Sequence, residues 1–205
     1  MGPKERRERE REEIRGRILD AARELFASEG YEAVTMRRIA DRIEYSPTAI
    51  YFHFRDKEAL LKELCATDFL SLARDLAGLG KVKNPIERLR RAGHAQIRFG
   101  ATHPNHYRLM FMTPHPPMAD DTLEKGNPEE DAYAFVRSIA VEAIEQKLLK
   151  PAYKDPHLVA QTVWAAVHGV ISLEIAKQND PWIEWCPLDK RSAATIDAVI
   201  AGIVR

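Results

Sequence analysis

Apolar residues recur along this chain at intervals of three and four, without the two-residue alternation of a half-buried strand. Ile14, Ile18, Ala21, Ala22 and Leu25 mark a first helix that ends at Gly30. The charged residues 4–13 before it hold i,i+4 pairs such as Glu5 with Arg9, and read as a solvated helical extension, with a DNA-touching arm as the rival reading. Thr35 is placed to cap a short second helix whose apolar side is Ile39, Ala40 and Ile43. Glu44 and Tyr45 form a turn, and Ser46 as cap with Pro47 at the first helical position opens a third short helix through Phe54. Asp56 caps a longer helix with Leu61, Cys65, Phe69, Leu72 and Leu76 on one face.

Asn84-Pro85-Ile86-Glu87 starts the next helix, whose stripe is Ile86, Leu89, Gly93, Ile97 and Gly100. His103-Pro104 breaks it, and a short helix with Tyr107, Met110 and Phe111 follows. Residues 113–128 lack periodicity and read as a long loop. Asn127-Pro128 restarts helix with Ala132, Val136, Ile139 and Ala143 inward. Asp155-Pro156 opens the most apolar helix, to about Gln178, and a last one runs from about Asp189 to Ile203. The pattern predicts an all-α fold of about nine helices. The spacing predicts a three-helix helix-turn-helix domain over residues 1–56, with the charged arm at 1–13, and a larger helical domain over residues 57–205.

Composition narrows the function. A hydrophobic share of 45% fits a globular chain, and 31 Lys plus Arg balance 31 Asp plus Glu, which argues against a protein that coats nucleic acid through net charge. Residues 1–17 hold no apolar run that could serve as an export-signal core. Gln161, His168 and Glu174 interrupt the apolar window 159–176, so it is expected to be a buried helix and not a membrane span. Cys65 and Cys186 have neither metal-ligand nor redox-motif spacing and suit a reducing cytoplasm. His103, His106 and His115 near Asp120 and Asp121 have no fixed ligand geometry and are expected to be solvated, with no metal and no cofactor. Nucleophile elbow, P-loop, dinucleotide and HExxH patterns are missing, so no enzyme is expected. The rival readings are a helical protein-interaction adaptor and a small enzyme built around His168 in the C-terminal domain.

The stretch Thr35 to Phe54 carries the candidate chemistry. Ala40 is small enough for two short helices to cross closely, with Ile39, Ile43, Ile50 and Phe54 at their junction. Ser46, Thr48, Ala49, Tyr51, Phe52 and His53 on the other side offer hydroxyls, a ring nitrogen and apolar groups of a size to meet base edges and phosphates in a major groove. Five cations, Arg37, Arg38, Arg42, Arg55 and Lys57, stand against Asp41, Glu44 and Asp56, a local charge of +2.

From Arg17-Ile18-Leu19-Asp20-Ala21-Ala22 through Gly30-Tyr31, Val34-Thr35, Ile39-Ala40 and Ser46-Pro47 to Ile50-Tyr51-Phe52-His53-Phe54-Arg55-Asp56-Lys57, the chain resembles the TetR family of bacterial transcriptional regulators. The resemblance implies a homodimeric repressor whose N-terminal domains bind a palindromic double-stranded DNA operator and whose C-terminal domain binds a small-molecule inducer. It further implies that Thr35, Tyr51, His53 and Lys57 hold phosphates, while Arg37, Pro47, Thr48, Ala49 and Phe52 touch or approach bases. Glu44 stands where many members have glycine; a left-handed backbone there would cost about 1 kcal/mol.

Trp164-Ala165-Ala166-Val167-His168-Gly169 resembles the Trp-x-x-x-His-Gly motif of one C-terminal subtype. Two readings stay open: helix packing, or a polar contact from His168 inside an apolar cavity. Phe99, His103, Tyr107, Met110 and Phe111 around the break at Pro104 are the other candidate ligand contacts. The last two helices, with Ala193, Ile196, Ile200 and Ile203 forming a face of the last, are expected to make the dimer interface.

Overall fold

The computed structural model describes residues 2–114 and 125–205; His115, Asp120 and Asp121 lie outside the described residues. Among the described residues there are nine α-helices and no strand beyond an isolated pairing of Leu149 with Val204. The helices are α1 (Pro3–Glu29), α2 (Met36–Arg42), α3 (Pro47–Tyr51), α4 (Lys57–Ala77), α5 (Pro85–Thr102), α6 (Pro104–Phe111), α7 (Ala132–Glu145), α8 (Pro156–Lys177) and α9 (Leu188–Ile203), with a 3-10 turn at Gly78–Lys81. They form two compact units. The first holds α1 to α3, α4 as far as Asp68, and α6 from Asn105; the second holds α4 from Phe69, α5 and α7 to α9.

Local chemistry sets most helix starts. Thr35 Oγ1 accepts from the Arg38 amide at 3.1 Å, Ser46 Oγ from Ala49 at 3.2 Å, Asp56 Oδ1 from Ala59 at 2.7 Å, and Asn84 Oδ1 from Ile86 and Glu87. Each satisfies an amide that has no partner inside its own helix. Helix α7 differs from the sequence expectation. Asn127 shapes a turn, accepting from Glu129 through its side chain and from Glu130 and Asp131 through its carbonyl. The helix itself begins at Ala132, because Asp131 caps Ala134. Its inward set shifts accordingly to Ala134, Phe135, Ile139, Ala140 and Ala143, and Val136 is only half-buried.

The first unit closes around Ile18, Ala22, Phe26, Val34, Ile39, Ala40, Ile50 and Leu60, all fully buried. A charged group penetrates this core. Asp68, 1% exposed, receives Nε and Nη2 of Arg23 at 3.2 and 3.0 Å, and lies 2.9 Å from Nδ1 of His106. Arg23 also donates to Asp20 at 2.9 Å. Helices α1, α4 and α6 are thus joined at one buried carboxylate.

In the second unit α5 packs against α7, α8 and α9. Gly93 permits the approach: a Cβ there would stand 3.2 Å from Ile196 Cδ1 and 3.4 Å from Val167 Cγ2. Ile196, Ile200 and Ile203 are buried within the chain, so they do not form the outward face expected of the last helix. Helix α8 is long and apolar enough, by length and composition, to cross a membrane. Its Val159, Ala160, Val163, Val167, Val170, Ile171 and Ile175 are buried, whereas Leu158, Trp164, Ala165, Leu173 and Ala176 are exposed.

Candidate nucleic-acid interface

Three residues of α1 fix the turn between α2 and α3 and the chain that follows. Arg17 donates to the carbonyl of Ile43 at 3.2 Å and lies over the Tyr45 ring, 5.1 Å from its centre. Arg15 donates to the carbonyl of His53 at 3.0 Å, pairs with Glu63 at 2.9 Å and covers the Phe54 ring at 4.4 Å. Ile18 fills the core beneath. Inside the turn, the Tyr45 amide donates to the Ala40 carbonyl at 3.0 Å, and Glu44 takes φ +61°. The non-glycine residue is therefore in the left-handed region, at the position where the turn demands it.

Helix α3 is shorter than expected. It ends at Tyr51, and Phe52, His53 and Phe54 turn away with the amides of His53 and Phe54 both directed to the Ile50 carbonyl. Phe54 is buried in the junction; Phe52 is 79% exposed and Tyr51 54% exposed. Thr35, Arg37, Ser46 and Thr48 are also exposed, and Pro47, Ala49, His53 and Lys57 are half-buried. Two adjacent exposed aromatic rings on a folded unit stand out, because burial of either would stabilise it.

The cations divide into those held internally and those left over. Arg38 pairs with Glu29 at 2.9 Å, Arg42 with Glu24 at 3.1 Å, and Arg55 with Asp56 at 2.7 Å. Lys57 donates to the Tyr31 carbonyl at 2.8 Å and lies 4.1 Å over that ring. Arg37 makes no hydrogen bond or ion pair among the described residues. His53 carries a buried Nδ1 without a hydrogen-bond partner; burial, then the charges of Arg11 and Arg15, push its pKa below the ordinary 6.5. A short polar and aromatic helix, mounted on a fixed support beside a spare guanidinium, has the dimensions and donors for a major groove.

The expected ligand residues are split between the units. Phe99, His103, Trp164 and His168 belong to the second, and Tyr107, Met110 and Phe111 to the first. Phe99 is buried with its ring tilted against that of His103, ring centres 5.3 Å apart; Tyr107 is fully buried against Phe111 at 4.6 Å. Met110 is buried, and His103 is exposed. Trp164 is 39% exposed, which removes it from the core of this chain; His168 is half-buried, and burial lowers its pKa. The Arg23, Asp68 and His106 cluster went unread in the sequence. Its one local signal was a carboxylate inside the apolar stripe of α4.

The fold and this face define a helix-turn-helix DNA-binding regulator. The family model described as bacterial regulatory proteins, tetR family, matches residues 18–64, and that described as tetracyclin repressor-like, C-terminal domain, matches residues 89–199. The chain belongs to the TetR family of transcriptional regulators. It is 41% identical over 69 residues to the transcriptional repressor AcnR of Corynebacterium diphtheriae, covering 34% of this chain and 36% of that protein. It is 35% identical over 78 residues to the regulator UidR of Escherichia coli K12, covering 38% and 37%. These matches span little more than a third of either relative. Among solved structures, a TetR family regulator from Marinobacter aquaeolei matches with TM-score 0.76 at 20% identity, over 97% of this chain and 98% of that one. PfmR from Thermus thermophilus matches with TM-score 0.68 at 23% identity, over 92% and 99%. These likenesses show the fold.

Proposed function

We propose that this regulator is a ligand-responsive repressor that binds a palindromic operator as a homodimer and is released by a small-molecule inducer. The observation that carries the DNA reading is the exposed face of Thr48, Tyr51 and Phe52 beside the unpaired Arg37. Residues 1–56 are the DNA-binding domain and residues 57–205 the regulatory and dimerisation domain. On the duplex, Thr35, Tyr51, His53 and Lys57 hold phosphates, and Arg37, Ser46, Pro47, Thr48, Ala49 and Phe52 face the bases. The protein acts in the compartment that holds the DNA, the cytoplasm.

Homodimerisation uses the outward sides of α8 and α9. Leu158, Ala165, Leu173 and Ala176 on α8 and Ala194, Ala198 and Ala201 on α9 are exposed, a largely apolar surface on which small side chains let two backbones approach closely. His168 and Phe99 contribute to an inducer site in the second unit. A ligand that prefers a conformation unsuited to the operator weakens DNA binding, and DNA weakens ligand binding by the same factor.

Sedimentation of the protein with a palindromic duplex tests the assembly: two chains per duplex supports it, and one chain per duplex contradicts it. For the inducer, a panel of apolar metabolites is screened by thermal melting. Compounds that raise Tm should lower operator affinity and lose their effect in His168→Ala; equal shifts in that variant would exclude His168 from the site.

A further inference from the structure

Helix α1 begins at Pro3, so residues 3–13 carry it about 16 Å beyond Ile14. This extension is neutral overall, with Lys4, Arg6, Arg7, Arg9 and Arg11 against five glutamates. Its charges are nevertheless sorted by face. At about 100° per residue, Lys4, Arg7, Arg11 and Arg15 fall within roughly 80° of arc, while Glu5, Glu8 and Glu12 occupy the adjoining strip.

The basic strip is the one aligned with the helix-turn-helix. Ile18, buried in that core, lies within the same arc. Arg15, at its inner end, donates to the His53 carbonyl. The next cation outward, Arg11, is close enough for its charge to act on the His53 ring. Lys4, Arg7 and Arg11 are exposed and make no ion pair or hydrogen bond among the described residues, in contrast to Arg6, which pairs with Glu10 at 2.9 Å.

We propose that the ridge of Lys4, Arg7 and Arg11 is a second DNA contact, gripping the phosphate backbone of the duplex that flanks each half-site. It rests on the reading of α3 as the base-contacting helix, since it extends that surface outward from His53. The ridge spans about 10 Å, the rise of three base pairs, so its three cations lie along a stretch of one strand that carries four phosphates. Keeping the glutamates on another strip avoids repulsion at the contact and leaves the chain without net charge, so that non-specific binding stays low.

The probe is a duplex enriched from random DNA by the unaltered protein, with about ten base pairs, one helical turn, beyond each half-site. Lys4→Gln, Arg7→Gln and Arg11→Gln together should lower the slope of log affinity against log salt by about 2.7 per chain, weaken binding more than tenfold at about 0.1 M salt and shorten the hydroxyl-radical footprint at its outer edges. Arg6→Gln with Glu10→Gln, off the ridge, should leave slope and footprint unchanged. Trimming the flanking base pairs tests the same contact without any substitution: the unaltered protein should fall to the affinity of the ridge variant, and the variant should lose nothing further. A ridge variant that keeps the original slope and footprint, or unaltered protein indifferent to trimming, overturns the proposal while the α3 reading stands. Failure of the unaltered protein to enrich any duplex overturns both.

Discussion

Arg23 meets Asp68, 45 positions further along the chain, through two parallel hydrogen bonds of 3.2 and 3.0 Å, with both side chains buried. Removing one member of a buried pair strands the other charge, whereas replacing both with apolar groups removes the desolvation cost as well. Asp68→Ala should therefore cost about 3 to 5 kcal/mol in urea unfolding, and Arg23→Leu with Asp68→Leu should recover most of that loss. Equal losses in the single and double variants would show that the pair is not what stabilises this part of the core.

Glu44 gives the opposite expectation. With φ at +61°, it holds a conformation that glycine adopts without steric cost. Glu44→Gly should raise stability by up to about 1 kcal/mol, read as an increase in Tm, and should leave DNA affinity within about twofold. A decrease in Tm would mean that the Glu44 side chain contributes more than its backbone costs.

Two substitutions distinguish the proposed dimer face on α8 from the core. Ile200 is buried within the chain, so Ile200→Asp should prevent folding. Leu173 is 47% exposed, so Leu173→Asp should give a folded monomer by sedimentation, with the helical circular dichroism of the unaltered protein. A Leu173→Asp protein that remains dimeric would move the interface elsewhere.

How the sequence misplaced Ile200 shows which features it encodes locally. Thr35, Ser46, Asn84 and Asp155 were legible as caps because each acts on amides two or three residues away. The all-α fold and the helix-turn-helix followed from such signals and from helical spacing. An apolar stripe on α9, however, does not say whether it meets α5 of its own chain or a second copy; only the close approach at Gly93 decides that. Two cap signals four residues apart, Asn127 and Asp131, left the start of α7 ambiguous. Arg23, Asp68 and His106 come together across 38 and 45 residues, beyond any local pattern. At the candidate site, the exposed residues of α3 were readable, whereas the internal pairing of Arg38, Arg42 and Arg55 was not. The count of +2 therefore overstated the free charge on α2 and α3.

His53 should make DNA binding sensitive to pH. Burial and the charges of Arg11 and Arg15 hold its pKa below 6.5 in the free protein, so its neutral form is favoured and it lowers folding stability as pH falls from 6.5 through that depressed value. A phosphate beside the ring would raise the pKa again, so DNA binding would take up a proton. Operator affinity should then rise as pH falls through the same window, and His53→Gln should flatten that rise. An identical pH profile in the variant would place the phosphate contact away from His53.

The central claim, that α2 and α3 read DNA sequence, is tested most directly by selection on random duplexes with the unaltered protein, Arg37→Ala and Lys57→Ala in parallel. The unaltered protein should enrich a palindrome whose half-site centres lie about 34 to 36 Å, or a multiple of that, apart. Arg37→Ala should relax the choice of base at one position in each half-site, and Lys57→Ala should weaken all sequences alike. No enrichment by the unaltered protein, or the same loss of selectivity in both variants, would contradict it.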